Sequence, residues 1–212
     1  MPKHKAQIAQ TTVTYLGFEV SEGQRQRGMS WKEAIYQVKY LKPKIYERCV
    51  PFWECRLWIM NYGLMAKPLY EALKGPPFVW GPEQRRAYQG LKRALMTAPA
   101  LGLPDLNKGF QLFVHERQHI ALGILPEYLG SWKRPVGYFS KQLDTVSEGW
   151  PSCLRAVAAM VMLIQEARKL TLGHKMTVYV PPMVSQVLEE KGGHWLSPSR
   201  MMKYQVVSLR TR

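Results

Sequence analysis

Polar and apolar residues alternate through Thr11-Thr-Val-Thr-Tyr-Leu-Gly-Phe-Glu-Val20, the period-2 pattern of a strand. Glu22-Gly23 then supplies a turn before Gln24-Arg25, so the segment predicts a β-hairpin with a short return arm. Residues 30–42 predict a helix. Ser30 is its N-cap and Glu33 completes a capping box, with Ala34, Ile35, Val38 and Leu41 on the apolar stripe and Pro43 ending it. A second helical stretch runs from about Trp53 to Leu73, where Pro68 must kink or divide it. Gly75-Pro76-Pro77 is a break. Gly81-Pro82 opens the clearest helix, because proline at the first position and Glu83 in the first turn both suit a helix N-terminus. Its face is Ala87, Tyr88, Leu91, Ala94 and Leu95, and Pro99 stops it.

The pattern changes after the linker Pro99–Pro104, which places a domain boundary near residue 103. Phe110-Gln-Leu-Phe-Val-His-Glu, Ile120-Ala-Leu-Gly-Ile-Leu and Pro135-Val-Gly-Tyr-Phe-Ser-Lys-Gln-Leu predict an antiparallel meander. Cys153 to Leu170 is apolar nearly all round, as in a helix packed on a sheet and largely buried. Met176-Thr-Val-Tyr-Val is a fourth strand, with helical stretches near 183–190 and 198–208. The order β-β-β-α-β-α is an α+β layer fold.

Composition adds a direction. The 212 residues are 46% hydrophobic, enough for a core, and Lys+Arg 30 against Asp+Glu 15 gives a formal net charge of +15. Such a field attracts polyanions, of which nucleic acid is the commonest. Cys49, Cys55 and Cys153 have no paired metal spacing, which fits a reducing compartment and thiols used as small apolar side chains. The polar start Met1-Pro-Lys-His-Lys has no apolar run after it, so no secretory signal is expected. The longest apolar run, Ala156 to Ile164, is too short to span a bilayer. The expectation is an intracellular protein, cytoplasmic or nuclear, with no membrane partner and no cofactor.

Three segments resemble the Pol polyprotein of gammaretroviruses and their endogenous relatives. The first is Lys5-Ala-Gln-Ile-Ala-Gln, leading into Tyr15-Leu-Gly-Phe-Glu-Val-Ser-Glu-Gly-Gln-Arg25. The second runs from Cys55-Arg-Leu-Trp-Ile through Pro68-Leu-Tyr and Trp80-Gly-Pro-Glu-Gln to Leu95-Met-Thr-Ala-Pro-Ala-Leu-Gly-Leu-Pro-Asp105. The third is Arg134-Pro-Val-Gly-Tyr-Phe-Ser-Lys-Gln-Leu-Asp144, continuing to Gly149-Trp-Pro-Ser-Cys-Leu-Arg155 and Trp195-Leu-Ser. The resemblance implies a reverse-transcriptase region in three parts: residues 1–28 as the end of the palm with its primer-grip hairpin, 29–103 as a helical thumb-like subdomain, and 104–212 as a connection domain. It implies that Tyr15, Leu16, Gly17 and Phe18 press on the primer backbone. The connection domain would be an RNase H-like mixed sheet with packed helices, truncated so that its last strand is missing and a sheet edge lies open.

The same resemblance implies that this stretch is not catalytic by itself. Polymerases of this kind hold two Mg²⁺ with palm carboxylates from a Tyr-x-Asp-Asp turn upstream of the primer grip, and no Asp-Asp pair occurs here. A working RNase H carries carboxylates on its first strand, central helix and fourth strand. Here the corresponding positions are His115, Leu154 to Ala156, and Pro181. One neutral imidazole cannot replace several hard oxygen ligands for Mg²⁺, and Glu116 points to the opposite face of its strand. His115-Glu-Arg-Gln-His119 is also a literal H-E-x-x-H. On a helix it would bring His115 and His119 together for Zn²⁺ with Glu116 as general base, so a zinc hydrolase is the rival reading. The strand-like alternation before it argues against that geometry.

The thumb departs from the family over Pro43-Lys-Ile-Tyr-Glu-Arg-Cys-Val-Pro-Phe-Trp-Glu54, where Pro51 would cost a helix interior about 3 kcal/mol or more. The basic residues expected to meet phosphates are Arg25, Arg27, Lys67, Arg85, Arg86, Lys92, Arg93, Lys133, Arg134 and Lys141. Together they predict weak, salt-dependent, sequence-independent binding to template–primer or RNA–DNA hybrid. Trp58, Trp80 and Trp150 could stack on bases, though such tryptophans more often belong to a core. The alternative is a protein-interaction module, in which the RNase H-like fold binds a viral polymerase or another protein.

Overall fold

The computed structural model describes residues 9–15, 17–37, 55–74, 80–195 and 207–211. A small antiparallel sheet opens the chain, made of β1 (Thr12–Tyr15), β2 (Phe18–Ser21), β3 (Gln24–Arg27) and β4 (Leu101–Gly102), in that spatial order. The single strand predicted over Thr11–Val20 is therefore two. Gly17 adopts φ +77°, a conformation open to glycine, and Tyr15 pairs with Phe18 across the turn. The predicted turn at Glu22-Gly23 is present, with both residues at positive φ, as a two-residue hairpin requires.

Helix α1 (Met29–Gln37) begins earlier than predicted. The Gly28 carbonyl accepts from the N–H groups of Trp31 and Lys32, so Ser30 lies inside the first turn and is not the N-cap. Residues 55–60 form turns and α2 (Tyr62–Leu73) follows. The division expected at Pro68 falls instead at Asn61, whose φ is +58°; Pro68 stays within the helix and its carbonyl accepts from Gln84 Nε2 at 3.4 Å. Helix α3 (Pro82–Met96) forms as predicted. Its entry is fixed by the Gly81 N–H, which donates to Gln84 Oε1 at 2.9 Å. Ile35, Cys55, Ile59, Tyr62, Ala66, Leu69, Tyr88, Leu91 and Leu95 make one buried cluster among these helices. The divergent run 43–54 lies outside the described residues, as do 38–42.

The second unit contains β5 (Phe110–Arg117), β6 (Ile120–Leu129), β7 (Trp132–Gln142), α4 (Thr145–Glu148), α5 (Ser152–Thr171), β8 (Met176–Val180), α6 (Pro182–Trp195) and β9 (Val207–Thr211). Its sheet runs β7-β6-β5-β8-β9. The β5–β6 and β6–β7 pairs are antiparallel, whereas β5–β8 and β8–β9 are parallel. A parallel neighbour needs a crossover, and α5 provides it. One face of β5 (Phe110, Leu112 and Val114) meets Ala156, Ala159, Leu163, Ile164 and Ala167 of α5 in a second buried cluster.

The last strand is not missing. β9 occupies the edge beside β8, with Val178 opposite Leu209, which corrects the expected open edge there and, at Val207 and Ser208, the end of the helix read over 198–208. The reason is long-range: β8 offers a row of free backbone groups, and the β-branched run at Val206-Val207 suits a strand that pairs with it. Residues 198–206 lie outside the described residues.

Hydrogen bonds among the described residues help to join the two units. The Gly63 N–H donates to Ser140 Oγ at 2.7 Å, setting α2 against β7. The Tyr138 N–H donates to the Leu57 carbonyl at 2.9 Å, which closes part of the outer edge of β7. Arg25 of β3 donates to the Val136 carbonyl at 3.4 Å.

Candidate nucleic-acid interface

The N-terminal hairpin separates its two aromatic residues. Tyr15 projects into solvent at 67% exposure. Phe18 instead stacks on Trp58, with centroids 5.3 Å apart, and the Arg27 guanidinium covers its other side at 3.9 Å. Phe18 and Trp58 therefore belong to the docking of β2, while Tyr15 and the exposed turn residue Gly17 are the outward tip. Leu16 lies outside the described residues. Of the other tryptophans, Trp80 is half-buried and edge-on to Tyr88, and Trp150 is exposed.

The ten basic candidates divide by environment. Arg85, Arg86 and Arg93 are exposed on α3, and Lys133 and Lys141 are exposed on β7. Lys92, on the same helix as the three arginines, is buried. Its Nζ donates to the Tyr36 carbonyl at 2.7 Å and lies 5.0 Å from the Tyr88 ring centre, and burial lowers its pKa. It holds α1 to α3 and is not on the surface predicted for it. Burial likewise lowers the pKa of Arg25, which reaches across the Trp58 ring to Val136. Arg27 is buried between Phe18 and Trp31. Arg134 is ion-paired with Glu127, a carboxylate 1% exposed that also accepts from the Asp105 N–H at 3.3 Å.

Lys67 and Lys141, far apart in sequence, come together. They flank a cavity of about 410 Å³ between α2 and β7, where Arg56 and Lys74 join them. Sequence reasoning missed those last two. Lys74 follows Lys67 by two helical turns and so shares its side of the helix, a signal that was available. Arg56 carried no such signal.

The residues singled out for RNase H-like chemistry lie around the carboxyl ends of the central strands β5 and β8 and the start of α5. β5 and β8 pair as far as Phe113 and Tyr179, so His115 lies two residues past the last pair on β5 and Pro181 directly follows the end of β8. His115 is exposed, while Glu116 turns toward α5 and lies 3.5 Å from Arg155 Nε. The same carboxylate accepts from the His119 N–H at 2.9 Å. Leu154 and Ala156 occupy the first turns of α5 beside it, Ala156 buried. The H-E-x-x-H reading fails on backbone geometry. His115 and Glu116 are strand residues, and Gln118 and His119 form the turn at φ +53° and +66°, so the helical spacing a zinc pair needs is not formed. Among the described residues no group of three or more His, Cys, Asp or Glu is placed to hold a metal ion. No helix of the described residues is long and apolar enough to cross a membrane.

A mixed five-stranded sheet with a crossover helix between its central parallel strands defines an RNase H-like unit, and residues 80–178 match the RNase H-like domain found in reverse transcriptase. More particularly, the chain is similar over nearly its whole length to gammaretroviral Gag-Pol polyproteins. It is 44% identical over 208 residues to the Gag-Pol polyprotein of feline leukemia virus, covering 97% of this chain and 12% of the relative. It is also 44% identical, over 210 residues, to that of baboon endogenous virus (strain M7), covering 98% and 12%. For avian reticuloendotheliosis virus the identity is again 44%, covering 97% and 18%. The chain thus spans less than a fifth of each of these relatives. Among solved structures, the foamy viral protease-reverse transcriptase dRH in complex with ds DNA superposes with a TM-score of 0.78 at 18% identity, covering 95% of this chain and 38% of that one. The foamy viral protease-reverse transcriptase in complex with RNA/DNA hybrid gives 0.75, covering 95% and 29%. At this identity the likeness is one of fold.

Proposed function

We propose that this stretch of a reverse-transcriptase-type protein holds nucleic acid weakly and without sequence preference, as template–primer or RNA–DNA hybrid, and performs no hydrolysis or polymerisation by itself. The observation that carries the non-catalytic part is that His115 and Pro181 lie just beyond the last paired residues of β5 and β8, with Glu116 already engaged by Arg155 and the His119 N–H. Two Mg²⁺ ions need convergent carboxylate oxygens, and an imidazole, a proline and an aliphatic helix turn supply none.

Binding is supported by the exposed cations on α3, by Lys67 and Lys141, by the outward Tyr15, and by the complexes with duplex and hybrid that the foamy viral enzymes form. In this reading residues 1–28, 29–103 and 104–212 act as grip-like hairpin, thumb-like helices and connection-like domain. Tyr15 and Gly17 would meet the backbone near a primer end, and Arg85, Arg86 and Arg93 would follow the phosphates. A second reading, docking to another protein, is favoured by the tip of the β6–β7 hairpin, where Trp132 is 79% exposed beside the exposed Leu129.

The deciding experiment titrates the chain with an RNA–DNA hybrid across a salt series and incubates the same sample with Mg²⁺. The expected result is an affinity that falls steeply with salt and no cut strand. Affinity indifferent to salt would replace the first reading with the second, and Mg²⁺-dependent cleavage by contaminant-free protein would end the non-catalytic one.

A further inference from the structure

We propose that the cleft between α2 and β7 is a phosphate-binding site that takes the phosphate ester of a free nucleotide or of a polynucleotide backbone. Among the described residues its cations come from three separate parts of the chain: Arg56 from the turns before α2, Lys67 from α2 with Lys74 at its C-terminal cap, and Lys141 from β7. Among the described residues no carboxylate lines the cavity. Among the described residues none forms an ion pair with Arg56, Lys67 or Lys74. Lys141 approaches Glu166 at 3.3 Å, but Lys169 holds the same carboxylate oxygen at 2.9 Å, so Lys141 can turn away without stranding a charge.

Like charges gathered without a counterion repel one another, and the fold tolerates this only at a cost. An anion in the cleft relieves it, and the concave walls concentrate the field. The cavity of about 410 Å³ is the size of a small-molecule site and accommodates a mononucleotide. Arg56 provides the planar fork that meets two oxygens of one phosphate, and the lysines act as point charges. Tyr70, half-buried in the wall, offers an aromatic surface for a base or sugar. The floor is fixed, because Gly63 and Ser140 are joined by a 2.7 Å hydrogen bond and the two walls cannot drift apart separately. The polynucleotide arm of this proposal rests on the nucleic-acid reading above; the free-nucleotide arm does not.

The test is calorimetric titration of the 212-residue chain with ATP and, separately, with an eight-residue oligothymidylate. Four variants are compared: Arg56→Glu with Lys67→Glu, the milder Lys67→Gln, the conservative Lys67→Arg, and Arg117→Glu, an exposed cation outside the cleft. Circular dichroism and a melting curve verify that each is folded. The expected result is at least a tenfold loss of affinity for one or both probes in the double variant and a smaller loss in Lys67→Gln. Lys67→Arg should retain binding and Arg117→Glu should leave ATP binding unaltered. Loss for ATP alone identifies a free nucleotide as the ligand, and loss for the oligonucleotide alone identifies the backbone. Equal affinities in wild type and double variant, or no binding of either probe, overturn the site. If hybrid still binds in a salt-dependent way while the double variant is indistinguishable from wild type, the cleft fails and the broader reading stands. If ATP binds through the cleft and hybrid does not bind, the reverse holds.

Discussion

Glu127 carries its charge almost out of reach of water, under the strand β4, and Arg134 is the group that answers it. Removing one partner of a buried pair strands the other, which typically costs about 3–5 kcal/mol. Arg134→Met should lower stability by that order in a denaturant titration, and Glu127→Gln combined with it should recover part of the loss. If the single variant melts like wild type, the pair is not the anchor described here. Asp144 offers a gentler case. Its side chain caps α4 by accepting the Ser147 N–H at 2.7 Å, and that bond holds its carboxyl below the ordinary value of 3.8. A carboxylate depressed in the folded state adds stability that is complete above its unfolded pKa and lost as pH falls through the lower folded value. Asp144→Asn keeps an acceptor without the titration. The gap in melting temperature between wild type and variant should therefore be constant near neutrality and shrink below about pH 4. A gap independent of pH would remove the charge from the account.

At the scale of elements, the place of α2 depends on a single missing side chain. A Cβ at Gly63 would overlap Ser140 Oγ and sit 3.0 Å from Ile120 Cγ2. Gly63→Ala should push α2 off β7 at a cost of about 1–3 kcal/mol, and Ser140→Ala in the same chain should return part of it. Simple additivity of the two substitutions would argue that the helix adjusts freely. How far each element could be read from sequence follows from how local its causes are. α3 was legible because its entry signals, Gly81-Pro82 and Glu83, and its apolar face all lie within the helix. The split at Gly17 was missed because alternation looks the same on both sides of a two-residue turn. The late start assigned to α1 came from trusting Ser30, when the Gly28 carbonyl already begins the helix. The helix expected over 198–208 runs into the first two residues of β9, because only the pairing with β8, made across the intervening α6, decides for a strand there. At the candidate site, exposure on α3 followed from the helical period. The burial of Lys92 did not, since it depends on α1 crossing that face.

At the scale of the whole molecule, a net charge of +15 is spread over two units held in one arrangement by Gly63–Ser140, Tyr138–Leu57 and Arg25–Val136. Under the proposed function, such a surface would contact a duplex through several phosphates at once. Each contact adds about 0.9 to the slope of log affinity against log salt. Reversing both Arg85 and Arg86 to Glu should flatten that slope by about 2 for hybrid and weaken binding alike for unrelated sequences. A slope unchanged by the double reversal would move the duplex away from α3.

The parallel pairing of β5 with β8 also dictates an order of assembly. During synthesis β5, β6 and β7 can zip as local hairpins, but the inner flank of β5 stays bare until α5 and then β8 have left the ribosome. The strand destined for the middle of the sheet is thus, for a time, an edge. A nascent chain stalled before residue 176 would present Phe110–Arg117 to any neighbour able to add a strand, and chaperone demand should peak in that interval.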